Sequence, residues 1–121
     1  MNNINKDKLL KDFPNLYKQY YLTPQETCMV WGFDCDDGWF NLIYKLSQDI
    51  TKVNPECEAS QVKQKFGGLR FYTDKANDKA YRLIEEAEEK SYKTCELCGA
   101  PGTLNDSGWI QCRCKKHEKA K

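Results

Sequence analysis

SQVKQKFGGLRFYT, residues 60 to 73, reads as two short strands around a Gly67-Gly68 turn, a pair that supplies positive φ without steric penalty. With a two-residue loop the cross-strand partners follow by counting. Phe66 faces Leu69, Gln64 faces Phe71 and Val62 faces Thr73 on one side; Lys65 faces Arg70 and Lys63 faces Tyr72 on the other. One face is mostly apolar and needs a core to cover; the other is basic. Two like charges directly opposed cost about a few tenths of a kcal/mol in an isolated ribbon. An anion offsets that cost, so Lys63, Lys65, Arg70 and Tyr72 are candidate binding residues. The anion is nucleic-acid or nucleotide phosphate, an acidic protein surface, or glutamates of the chain itself.

The flanks of the ribbon are helical. Upstream, Trp39, Leu42, Ile43, Leu46, Ile50 and Val53 recur at steps of three and four, after Asp36 and Asp37 as candidate caps and before a stop at Pro55. Downstream, a helix is predicted from Thr73 or Asp74 to about Tyr92, with Ala76, Ala80, Leu83, Ile84, Ala87 and Ser91 inward and Glu85, Glu86, Glu88 and Glu89 in solvent. Residues 4 to 22 suggest two short helices meeting at Pro14, with Ile4, Leu9, Leu10 and Phe13 on the first. TCMVWGF, residues 27 to 33, is a buried strand or an extended lead-in.

The C-terminal quarter carries the strongest chemical signal. CELCG, Cys95 to Gly99, and CKKH, Cys114 to His117, form a C-x2-C, x15, C-x2-H arrangement. A two-residue gap lets one tight loop present two thiolates to one ion, and four protein donors make a closed structural zinc site. Cys112 is the alternative third ligand, with His117 then at a five-residue step. The loop APGTLNDSGW has little to hold its shape without metal; Trp109 packs on it or stacks a ligand. Lys115, Lys116, Lys119 and Lys121 flank the site as a solvated tail or a contact for an acidic partner.

The fold class expected is therefore α+β: helices packed on a short β-hairpin with a C-terminal zinc ribbon or knuckle. Residues 1-93 form a helical body with the hairpin, and residues 94-121 a zinc-binding subdomain with a basic tail. A chain of 121 residues, 40% hydrophobic with seven further glycines, suits one packed domain. Its longest apolar run, Cys28 to Trp31, is far below the roughly 20 residues that cross a bilayer. The start, MNNINKDKLLKDF, has charges where a signal peptide is apolar, so a cytoplasmic setting is expected. That setting and an odd count of seven cysteines argue against disulfides.

Formal charge is +1, with six basic against eight acidic residues up to Cys57 and thirteen against ten beyond it. Catalysis is constrained by a single histidine. If His117 binds metal, no imidazole is left as a base, which disfavours a triad and the HNH-type nuclease that CxxCG resembles. Asp34, Asp36 and Asp37 form the densest acid cluster and could hold Mg2+, but they precede a helix and read as caps. Glu88 to Lys90 matches the end of a restriction-nuclease motif but lies on a helix. Cys28, Cys35 and Cys57 read as buried apolar groups.

In their order, DGWFNLIYKL, VKQKFGGLRFY and CELCGAPG…W…C…H resemble a family of small bacteriophage and prophage proteins over residues 36 to 117. The resemblance implies a bacterial or viral cytoplasmic setting and brings no established activity. The function expected is a non-enzymatic, zinc-stabilised binding protein that inhibits or sequesters a host bacterial, defence-related target, either a host protein or its anionic ligand. The alternatives are a nucleic-acid-binding regulator and a metal-dependent nuclease centred on the aspartates.

Overall fold

The computed structural model, which describes residues 1 to 105 and 110 to 117, has an α+β fold built on the hairpin. Its three helices are α1 (Asn3–Asp12), α2 (Phe40–Val53) and α3 (Asp78–Ser91). Strand β1 (Phe33–Asp34) pairs parallel to β2 (Glu58–Lys65), which pairs antiparallel to β3 (Gly68–Asp74). Helix α2 is thus the crossover between two parallel strands, and α3 packs on both α2 and β3. A second, two-stranded sheet, β4 (Thr103–Asn105) with β5 (Gln111–Arg113), follows α3.

The hairpin keeps its expected faces but not its expected register. Gln64 faces Leu69, Val62 faces Phe71, Lys63 faces Arg70, Gln61 faces Tyr72 and Lys65 faces Gly68. The turn residues are Phe66 and Gly67, with φ of 54° and 81°. Gly68 is drawn into the strand because it lies under the Tyr92 ring, where an added Cβ would come within 2.5 Å of Cε1. The Gly67 amide donates to Gln64 Oε1 at 2.7 Å and closes the turn. Because the shift is two residues, Val62, Leu69 and Phe71 are still buried while Lys63 and Tyr72 stay on the other side.

Helix α3 starts later than its sequence suggests. Thr73 and Asp74 remain in the ladder, opposite Ala59 and Glu58, and Asn77 caps instead, its side chain accepting from the Ala80 amide at 2.9 Å. Asn77 also donates to Val53 O, and buried Asn54 Oδ1 accepts from the Asn77 amide, which ties the end of α2 to the start of α3. Proline 14 stops α1 as its ring requires, but a single turn of 3-10 helix, Lys18–Tyr21, stands where a second helix is predicted, and Ile4 is exposed. Cys28–Trp31 is likewise 3-10, started by Thr27 Oγ1 accepting from the Met29 amide and ended at Gly32. Of that stretch only Phe33 is strand, continuing into Asp34.

Trp39, Tyr17, Leu9, Met29, Ile43, Ile50, Val62 and Leu69 fill the core. The Tyr17 hydroxyl donates to Ser47 Oγ, which itself donates to Ile43 O, and Phe33 and Phe71 meet the Tyr17 ring edge-on. Burial pushes the Tyr17 hydroxyl's pKa up, so it stays neutral.

One polar network is set into the body. Glu58 is buried and accepts from Gln19 Nε2 at 3.1 Å, with Lys18 Nζ and Lys75 Nζ at 3.1 and 3.2 Å from its other oxygen. Burial alone would raise its pKa, but Gln19, Lys18 and Lys75 together hold it below the ordinary glutamate value. A depressed carboxylate contributes stability above its unfolded pKa and loses it as pH falls through the folded one. Glu58→Gln is therefore expected to cost about 1–2 kcal/mol at neutral pH. Denaturant melts of the two proteins should converge in strong acid; a gap that survives acidification counts against the charge-based account.

Candidate metal centre

The chain after α3 folds into a tight loop. Cys95 N donates to Ala100 O and Gly99 N to Cys95 O, each at 2.8 Å, so the two-residue gap closes on itself. Glu96 N donates to Cys112 O at 3.1 Å and hangs this loop on β5, while a turn from Cys114 O to His117 N, 3.0 Å, presents the second half. Cys95, Cys98, Cys114 and His117 are brought together, with one ligand atom from each within 4.8 Å of the others.

The spacing fits a tetrahedron. Cys98 Sγ and Cys114 Sγ are 3.6 Å apart, and His117 Nδ1 is 3.7 Å from Cys95 Sγ and 3.2 Å from Cys114 Sγ. Metal–sulfur bonds of about 2.3 Å and metal–nitrogen bonds of about 2.0 Å put tetrahedral donors about 3.8 and 3.6 Å apart. Burial opposes ionisation of Cys95, but amides of Cys114, Cys98 and Leu97, with His117, outweigh it and bring the thiol down to about 6. Cys98 accepts from the Ala100 amide, yet burial and the neighbouring Cys114 and Cys95 sulfurs leave it raised. Three sulfurs and one imidazole nitrogen brought this close form a donor set compatible with a metal ion such as zinc.

Cys112 is not in the group. Its side chain is buried, and it joins the main apolar core instead, its thiol held above the usual value mainly by burial. Cys112 lies on β5 opposite Leu104, whereas Cys114 falls just past the end of that strand, where the turn to His117 carries its sulfur to the other donors.

The knuckle is docked on the start of α2. Gly38 N donates to Glu96 O at 2.7 Å, Trp39 Nε1 donates to Thr94 O at 2.9 Å and Asp36 N donates to Glu96 Oε2 at 2.9 Å. Glu96 and Arg113 are both 5% exposed and face each other at 3.5 Å, with Arg113 also donating to Cys112 O at 3.0 Å. Burial is the main cause that raises the Glu96 pKa. Sequence reading missed this pair; its signal was a glutamate and an arginine each next to a ligand cysteine.

The aspartates do not form a second centre. Asp37 Oδ1 accepts from Asn2 N and Asn5 Nδ2, at 2.8 and 3.1 Å, which docks α1, and Asp36 occupies an N-cap position without a side-chain bond. Neither carboxylate caps α2 as its sequence suggests. Cys35 and Cys57 are buried, with thiols pushed up by burial to about 12 and about 11, but Cys28 is exposed rather than buried.

On the basic face of the ribbon, Arg70 is already engaged. Its Nη1 lies 2.9 Å from Glu88 Oε2 and donates to Tyr92 Oη at 3.0 Å. Lys65 is exposed with its ammonium over the Phe66 ring, Lys63 is half-buried, and Tyr72 is 46% exposed. Lys115 and Lys116 are exposed beside the metal ligands; Trp109, Lys119 and Lys121 lie outside the described residues. Among the described residues no helix is long and apolar enough to cross a membrane. No family model, curated protein or solved structure matches the chain.

Proposed function

We propose that this chain is a non-enzymatic, zinc-stabilised binding protein of phage or prophage type, working in the bacterial cytoplasm by occupying a host, defence-related target. The observation that carries the reading is the donor set itself. Three sulfurs and Nδ1 of the single imidazole converge with tetrahedral spacing, so an ion held there is closed by protein and has no position for a reacting water. Zinc supplies folding energy in such a site, and His117 is spent as a ligand. Support for the phage setting is the order of the DGW, KFGGLRFY and CxxC blocks.

Contacts to the target come from Lys63, Lys65 and Tyr72, with Arg70 as their fixed neighbour. Arg70 is matched by Glu88, so an acidic surface on the target meets two lysines and two exposed rings, Phe66 and Tyr72. Aromatic surface flanked by a few cations suits a protein partner more than a phosphate backbone, which rewards many free cations. Substituting Lys63→Glu together with Lys65→Glu is expected to weaken capture of a host partner at least about tenfold, through association rate. Arg70→Glu is a poor probe, since it sets two glutamates face to face. Unchanged capture by the double variant sinks the ribbon-face assignment; a steep loss of binding with salt would favour nucleic acid instead.

A further inference from the structure

We infer that Cys98 is a modification site for small hydroperoxides, and that its oxidation to a disulfide with Cys114 releases the metal ion. Of the three sulfur donors, Cys95 is fully buried and Cys114 is 8% exposed, while Cys98 is open to solvent. An oxidant arriving from water therefore meets Cys98 first. Among the other cysteines, Cys35, Cys57 and Cys112 are buried, and Cys28, although exposed, stands in the 3-10 turn Cys28–Trp31, outside the cluster.

Reversible oxidation requires a thiolate with a second sulfur in reach. A thiol that donates to a metal ion is already deprotonated. Cys98 Sγ lies 3.6 Å from Cys114 Sγ, so the second sulfur is in contact. Cys95 is the poorer partner, because amides of Cys114, Cys98 and Leu97 hold its sulfur within the loop. Cys114 stands just past the end of β5, with its sulfur between Cys98 and His117.

The electrons balance within this pair. Cys98 Sγ attacks the O–O bond of the hydroperoxide; an S–O bond forms, the O–O bond breaks, and the departing oxygen takes a proton from solvent to leave as an alcohol, or as water from hydrogen peroxide. Cys114 Sγ then attacks the sulfur of the resulting sulfenic acid; the S–S bond forms and hydroxide leaves, protonated to water. Two sulfurs lose two electrons, and the peroxide gains them. Cys95 and His117 remain as donors, two where a closed tetrahedral site needs four, so the ion departs.

The bridge ties the two halves of the knuckle together but leaves Cys95 without its ion. Gly38 packs against the Cys95 carbonyl, and Trp39 Nε1 is bonded to Thr94 O beside it, so oxidation loosens the knuckle where it meets α2. Stability of the binding body thereby becomes conditional on a reducing setting.

This role of Cys98 rests on the proposed metal centre, and the experiment separates the two. Zinc is counted in freshly reduced protein, which is then treated with a small molar excess of hydrogen peroxide beside a weak chromogenic zinc chelator. Unreduced tryptic peptides are mapped by mass spectrometry. About one zinc per chain is expected at the start. Its release should keep step with a Cys98–Cys114 bridge and be reversed by dithiothreitol with fresh zinc. Cys98→His keeps four donors but has no sulfur to oxidise there, and is expected to release its ion at least about tenfold more slowly. Cys28→Ser should release it at the parent's rate. Cys114→His should stop at the sulfenic acid, trapped on Cys98 as a dimedone adduct. Protein without zinc at the start defeats the metal centre and this role together. Zinc retained through peroxide, a bridge to Cys95 in place of Cys114, or release from Cys98→His at the parental rate overturns the role of Cys98 and leaves the metal centre standing.

Discussion

Stripping zinc with a strong chelator is expected to unfold the protein well beyond the knuckle. Apparent folding energy from a structural zinc site is on the order of 10 kcal/mol at neutral pH, comparable to the total stability of a small domain, about 5–15 kcal/mol. The loss spreads because the knuckle is part of the body. Cys112 packs in the main core, Trp39 Nε1 bonds to Thr94 O, and Glu96 receives amides of both Asp36 and Gly38 through its side chain and its carbonyl. Cys95→Ser should act as chelation does, by removing one of four donors and its amide partners. Near-ultraviolet circular dichroism with metal analysis on the same sample checks this: about one zinc per folded chain, and loss of the tertiary signal on its removal. An unchanged cooperative melt in metal-free protein sinks the structural role.

Acid should release the ion for a reason visible in Cys95. Its thiol is depressed from the ordinary 9 to about 6. A depressed acid group stabilises the fold fully above its ordinary value and ceases to do so as pH falls through the folded one. A bound ion competes with protons at this sulfur, so metal retention is expected to fall only as pH drops below the range in which the metal-free thiol titrates.

The parts of this fold that were legible in sequence are those governed by local spacing. The three- and four-residue rhythm from Trp39 to Val53 sets α2, and two-residue gaps set both halves of the metal centre. What local spacing cannot fix is anything decided by a distant side chain. Gly67-Gly68 directs a sequence reader to a turn over those two residues, yet the turn falls on Phe66 and Gly67, with Gly68 in the strand beneath Tyr92 at the end of α3. Cys112 and Cys114 both suit the ligand spacing, and the packing of Cys112 into the main core leaves Cys114 to the site. That Arg70 meets a glutamate of the long helix was among the outcomes the sequence left open, and packing of α3 selects Glu88 for it. Gln19 and Glu58 meet through tertiary structure alone, 39 residues apart, with no periodic signal to announce them.

Gly38→Ala is expected to be among the most damaging single changes in the chain, although it adds one methyl group and removes no contact. An alanine Cβ at this position falls 2.2 Å from Cys95 O, 2.4 Å from Glu96 O and 2.5 Å from Glu96 C. These are backbone atoms, so no rotamer change relieves the clash. The knuckle backbone cannot retreat without moving Cys95, a member of the candidate metal cluster, and breaking the 2.7 Å bond from Gly38 N to Glu96 O. The α2 side cannot retreat either, because the adjacent Trp39 ring is fully buried and pinned to Thr94 O. Relief thus requires separating the knuckle from the helical body, and a destabilisation of about 3 kcal/mol or more is expected, at or beyond the upper end of the usual overpacking penalty because no side chain can give way. Zinc affinity should fall with it, since the same motion spreads the donors. Denaturant melts at saturating zinc and competition for the ion with a chromogenic chelator measure the two effects separately. Stability within about 0.5 kcal/mol of the parent, the scatter of an ordinary surface change, would mean that the helix and the metal loop are not packed backbone to backbone. The fold would then hold its ion on an independent appendage, and chelation would leave the body standing.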